Sequence, residues 1–200
     1  MREKNVSVES NAGDIDPSSG SRLPLVNRDD LDEAGKKAYD ATVSNSRSIA
    51  RLRGPAGVRL HSPRSRELEY LRYETDLGRR LTELAILVTA REMDQQFEWT
   101  LHEQEAREEG LEQRIIDLVR HRQLIEGLSD KEAVIIRLGR ELFATHRLSA
   151  EVYAQAFALF GAKTLVDLVC LMGNYAGTAL LLSAVDQQLP AGMEPRLPIP

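Results

Sequence analysis

Cysteine is nearly absent from this chain: Cys170 stands alone among 200 residues. A single thiol excludes an internal disulfide and any metal site built on several cysteines. It lies in the apolar stretch Leu168-Val-Cys-Leu-Met172 and is expected to be a buried, inert side chain. Positive charge is also short, since 26 Lys and Arg face 31 Asp and Glu. A net charge of -5 argues against nucleic acid or an anionic membrane as the main partner, because both need a basic surface. The Arg-rich stretch from 47 to 66 also carries Gly and Pro, and reads as a solvated loop and helix start. Aromatic residues are only 5%. The first residues, Met1-Arg-Glu-Lys-Asn, contain no apolar secretory core. The longest apolar stretch, Leu165 to Val185, is interrupted by Asp167, Gly173, Asn174, Gly177, Thr178 and Ser183. It fits a buried helix better than a membrane span, so the expected location is the cytoplasm.

No run alternates with period two, whereas helical spacing recurs almost throughout, so the fold class is expected to be all-α. Residues 1–21 read as a loose or disordered tail, 22–189 as one helical domain, and 190–200 as a Pro-rich tail able to cross a neighbouring subunit. Asp29 or Asp30 can cap a helix reaching Ser44, and Ser62-Pro63 opens another ending near Tyr73. Gly78 precedes a helix over 79–92. Asp94 is the expected cap of the next, which Gly110 closes after Glu109. A helix is expected over 111–126. Ser129 and Glu132 form a capping box for 131–146, Ser149 opens a helix to Phe160, and 163–187 follows Gly161. The two apolar helices, 79–92 and 163–187, are expected to form the core, with Gly173 and Gly177 admitting a close neighbour.

Four histidines are present, and one of them stands near carboxylates. Glu98 and His102, four apart on a helix, face the same way. Glu83 sits in a run that is apolar on all sides, where burial would raise its pKa and make it a useful acid. Equally, it reads as a helix-edge partner of Arg79, Arg80 or Arg91. The Glu98–His102 pair alone reads as an ordinary surface pair, but Phe97, Trp99 and Leu101 beside it argue for a drier setting. His121 and His146, among charged neighbours, read as surface residues. Asn174, in an apolar helix, is either a specific polar contact or a ligand-binding group.

The ordered set Arg80-Leu-Thr-Glu83-Leu-Ala-Ile-Leu, Phe97-Glu98-Trp99-x-x-His102, Ala106 and Gly110-Leu111 resembles the carboxymuconolactone decarboxylase family, with its alkylhydroperoxidase D-like proteins. The resemblance runs from about Leu23 to Pro190. The peroxidase branch carries a Glu, two Cys three apart and a His four residues later. Glu83 and His102 match that Glu and His, while Gln95 and Glu98 stand where the cysteines would be. A thiol peroxidase is therefore disfavoured, for lack of a dithiol cycle. The branch without cysteines implies a multi-helix bundle, assembled as a homo-oligomer (trimer or hexamer), that acts without a cofactor as a lyase or isomerase on a small lactone or keto-acid-like substrate. The implied catalytic residues are His102, Glu98 and Glu83. His61, in a His-Ser-Pro segment, with Trp99, Tyr73 and Tyr175, would line the substrate site, and Arg79 or Arg80 would hold a substrate carboxylate. On their own residues, His61 reads first as a loop or N′ histidine, and the two tyrosines as core residues with satisfied hydroxyls. No metal is expected, because Glu-x-x-x-His lacks the second histidine of the zinc-protease signature. A non-catalytic binding or assembly protein of the same fold is the alternative.

Overall fold

The computed structural model describes residues 15–44, 57 and 68–199. Among the described residues it is all-helical, with seven α-helices and no strand. In chain order they are α1 (Glu33–Ser44), α2 (Leu68–Tyr73), α3 (Arg79–Glu92), α4 (Gln96–Glu108), α5 (Gln113–Arg120), α6 (Asp130–Thr145) and α7 (Ala150–Ala184).

The apolar run of α3 makes it the central helix, and Thr82 through Arg91 are buried without interruption. Helices α4, α6 and α7 close around it. The main core joins Leu84, Ile86 and Leu87 of α3 to Trp99, Ile115, Ile116, Ile135, Ile136, Leu168 and Met172. Removing such a side chain from water is worth about 1.5–3 kcal/mol. Gly139 lets α6 approach α3 closely, since a Cβ there would overlap Val88 Cγ1.

Helix ends follow local chemistry. Ser129 and Glu132 form the expected capping box, and Gly110 takes positive φ (82°) just beyond α4. At Gly161 (φ 69°, ψ 174°) the backbone of α7 leaves helical geometry, which is the expected break. The long helix ends at Ala184 rather than 187. Other expectations are corrected. A 3₁₀ turn occupies Arg28–Asp30, and Asp32 Oδ1 accepts from Gly35 N–H (2.6 Å) at the start of α1. Gln95, not Asp94, caps α4 by accepting from Phe97 N–H at 2.8 Å, while Asp94 makes the turn with φ 47°. The helix expected over 111–126 is α5 alone, and Arg122 (φ 48°) lies in the loop that follows. Of the helix expected from Ser62, only α2 falls within the described residues.

The first and last described segments are tied down on this molecule. Ser21 is fully buried, Arg22 N–H donates to Val185 O and Gln188 N–H to Gly20 O, each at 2.8 Å. Residues 15–21 are thus attached, although the sequence suggested a loose tail up to 21. The Pro-rich end lies against its own chain: Leu197 is buried and Arg91 Nη1 donates to Pro198 O at 2.7 Å.

Helix α7 has an unexpected outer face. Cys170 is exposed rather than buried, and so are Val166, Gly173, Gly177, Leu180 and Ala184. Among the described residues, nothing beyond their own helix backbone and chain neighbours lies within 4 Å of where a Cβ on either glycine would stand, so no described helix packs against them. Among the described residues, α7 is the one helix long and apolar enough to cross a membrane, a test that core helices also pass.

Candidate functional site

The residues that carry chemistry meet between α2, α3, α4 and α7. Glu83 projects from the middle of α3 with no exposed surface. Its Oε2 lies 2.7 Å from His102 Nδ1, on the neighbouring helix α4. Its other oxygen accepts from Arg79 Nη2 (2.9 Å) and Arg72 Nη2 (3.2 Å). Arg72 also pairs with Glu105, one turn beyond His102 on α4. Tyr175 of α7 meets the imidazole edge-on, with centroids 5.1 Å apart. The ring of Tyr73 lies under the guanidiniums of Arg79 (4.5 Å) and Arg72 (5.0 Å).

On the opposite side of the imidazole, Glu98 Oε2 stands 3.2 Å from Nε2. The contact is close enough for an ion pair but lacks the alignment of a hydrogen bond. Among the described residues, neither buried Glu98 oxygen has a hydrogen-bond partner. A buried carboxylate held by one ion-pair contact alone is costly, which makes Glu98 the conspicuous group of the site.

Charge balance explains the protonation pattern. Three carboxylates (Glu83, Glu98, Glu105) face two guanidiniums (Arg72, Arg79), so an imidazolium at His102 brings the cluster to neutrality. Burial opposes that charge, but Glu83 and then Glu98 outweigh it and raise the pKa of His102. For Glu83, burial pushes upward, yet His102, Arg72 and Arg79 prevail and hold the carboxyl at about 2. This corrects the expectation that Glu83 is a raised-pKa acid: it stays ionised and anchors Nδ1. Burial, then Glu83, raises the carboxyl of Glu105.

A pH dependence of stability follows. Glu83, depressed from 4.5, contributes stability above 4.5 and loses it as pH falls toward 2. His102, raised from 6.5, contributes fully below 6.5 and loses its share as pH rises through the elevated value. The stability difference between wild type and His102→Gln should therefore be greatest between pH 4.5 and 6.5 and shrink above it. Denaturant midpoints of both proteins across pH check this, and a difference that grows above neutrality would contradict it.

Trp99 does not join the site. One residue after Glu98 it points about 100° around the helix, where its Nε1 donates to Glu103 (2.9 Å) in the core. Arg120 Nη2 also pairs with Glu103, at 2.6 Å. Arg80 likewise faces away from the site, toward Glu112 and Glu132. His61 lies outside the described residues. His121 and His146 are exposed, and Asn174 is half-buried. Sequence reasoning missed Arg72 and Glu105. Glu105 was within reach, because 98, 102 and 105 form one helical stripe. Arg72 gave no comparable signal.

Glu83, His102 and Glu105 offer ligand atoms within 4.8 Å of one another, as a metal ion would need. Two guanidiniums already lie against these carboxylates, so a dication would have to displace Arg72. The donor set suits an ion pair network better than a metal.

Compared with family models, curated proteins and solved structures, the chain matches none.

Proposed function

We propose that this site is that of a cofactor-independent lyase or isomerase of the carboxymuconolactone decarboxylase kind, acting on a small lactone or keto-acid-like molecule. One observation carries the reading: a buried imidazole fixed at Nδ1 by an ionised Glu83 (2.7 Å), with Nε2 facing the buried carboxylate of Glu98 at 3.2 Å. Glu83 holds the ring orientation and stabilises its charge. Nε2 faces Glu98 at 3.2 Å, and moving its proton between the two groups changes no net charge in the cluster. Such a pair gives a proton to a carbanion, or takes one from carbon next to a carbonyl, without building up charge in a dry site. In a decarboxylation, the C–C electron pair left by departing carbon dioxide becomes a dienolate, which accepts the Nε2 proton of His102. Arg72 and Arg79 supply the cationic wall for a substrate carboxylate.

The near-complete burial of Glu83, Glu98 and His102 favours a second reading, a binding or assembly protein in which the network is structural. Turnover separates the two. Loss of γ-carboxymuconolactone absorbance with wild type, and its absence with His102→Ala, supports the lyase; equal rates with both proteins would overturn it. The alkylhydroperoxidase D-like bundle type and the cytoplasmic location belong to the same proposal. So does a homo-oligomeric state, a trimer or hexamer, supported by the uncharged outer stripe of α7 from Val166 to Ala184.

A further inference from the structure

The imidazole occupies one side of α4. The opposite side, at Gln96, Thr100 and Glu103, holds the last described residues of the chain. The Gln96 amide is oriented by its neighbours so that its oxygen accepts from Arg196 N–H (2.7 Å) and Leu197 N–H (3.1 Å) while its nitrogen donates to Leu197 O (2.8 Å). One side chain thus reads both backbone groups of Leu197. Thr100 Oγ1 donates to the same amide oxygen at 2.8 Å and fixes it. Arg91 Nη1 donates to Pro198 O at 2.7 Å, and the Leu197 side chain enters the main core. Arg196 Nη1 lies 3.8 Å from Glu103 Oε1, a contact that counts least because Arg107 and Arg120 already pair with Glu103.

Main-chain hydrogen bonds that give affinity and a buried side chain that gives specificity are the parts of a peptide-recognition site. Here the peptide is tethered. Of residues 190–199, Leu197 alone is buried, and 191–196 are exposed. The tether runs from Gln188, whose N–H donates to Gly20 O, to Arg196, and fully extended it spans about 26 Å. Pro195 and Pro198 keep the segment extended and reduce the entropy lost when it is held. We propose that this groove of α3 and α4 is a binding site for an extended basic–aliphatic–proline peptide, filled in cis by Arg196-Leu197-Pro198 and open to the same segment of a second copy. Exchange breaks and remakes identical contacts, so the cis and trans forms differ only through the tether and the protein concentration.

The test uses the full-length protein and a fluorescently labelled synthetic peptide of residues 190–200, read by anisotropy. Leu197→Asp removes the buried anchor and frees the groove, so this variant is expected to bind the peptide saturably. Wild type should bind it at least about tenfold more weakly, because the tethered segment competes at an effective concentration on the order of millimolar. The peptide carrying the same Leu197→Asp change should not bind. Adding Gln96→Ala to the Leu197→Asp protein should weaken binding about tenfold, through the lost hydrogen bonds to the peptide backbone. No saturable binding to folded Leu197→Asp, or binding indifferent to Gln96→Ala, would overturn the proposal. Equal binding by wild type and Leu197→Asp would place the peptide elsewhere and overturn it too. Should Leu197→Asp fail to fold, wild type decides. Millimolar unlabelled peptide should move the Leu197 amide NMR signal of the protein to the position of a solvated tail. A signal that stays in place would make the segment a fixed part of the core and overturn the proposal.

Discussion

Glu83→Ala is expected to destabilise the protein by about 3–5 kcal/mol, the scale for removing one partner from a buried ion pair. The carboxylate has no exposed surface and serves Arg72, Arg79 and His102 at once. Its loss leaves a buried imidazole without its Nδ1 acceptor and Arg72 with Glu105 alone. Arg79 is a quarter exposed and keeps Glu109 at 3.1 Å, so it loses less. Glu83→Gln retains an acceptor of the same shape and should be milder, though the loss of charge lowers the pKa of His102. Urea unfolding of the three proteins reads the effect as a lowered midpoint at unchanged slope. A loss below 1 kcal/mol for the alanine variant would mean that the network is loose or solvated.

The second large effect is on chemistry. His102→Ala should reduce turnover by at least about 10²–10⁴-fold, the range that positioned acid–base groups contribute. It should cost less stability than Glu83→Ala, because Glu83 keeps both guanidiniums. Trp99→Phe makes a useful contrast. It removes the Nε1 donor to Glu103 and should lower stability while leaving any turnover by the folded protein near the wild-type rate, since Trp99 faces the core. If His102→Ala and Trp99→Phe reduced the rate equally, the imidazole would have no special role.

How much of this was legible in the sequence depended on whether a signal was local. Helix α3 was readable because ten successive positions are buried and Gly78 precedes them. The capping box and the break at Gly161 were readable because each is written in a few adjacent residues. Helix α5 was overextended: Leu124 and Ile125 continued the apolar pattern, yet Leu124 is 79% exposed in a loop. The error over Cys170 has a different origin. A helix that is apolar on every side has no phase, so nothing in Leu168-Val-Cys-Leu-Met172 tells which face meets the core. In the site, Glu98 and His102 share a helix and announced themselves by spacing. The pairing of Glu83 with His102 depends on how two helices pack. The direction of the Glu83 shift was misjudged for the same reason: burial was visible, but the imidazole of His102, packed against it from α4, and the guanidinium of Arg72, brought in from α2, were not.

The central claim is that His102 is an imidazolium held at Nδ1 by ionised Glu83 and facing Glu98. The most direct measurement is the ¹⁵N NMR titration of the His102 ring in the full-length protein. The account predicts a protonated Nδ1 at every pH at which the protein is folded, with Nε2 losing its proton above the ordinary 6.5. A ring that titrates at or below 6.5, with both nitrogens in fast exchange with solvent, would contradict it.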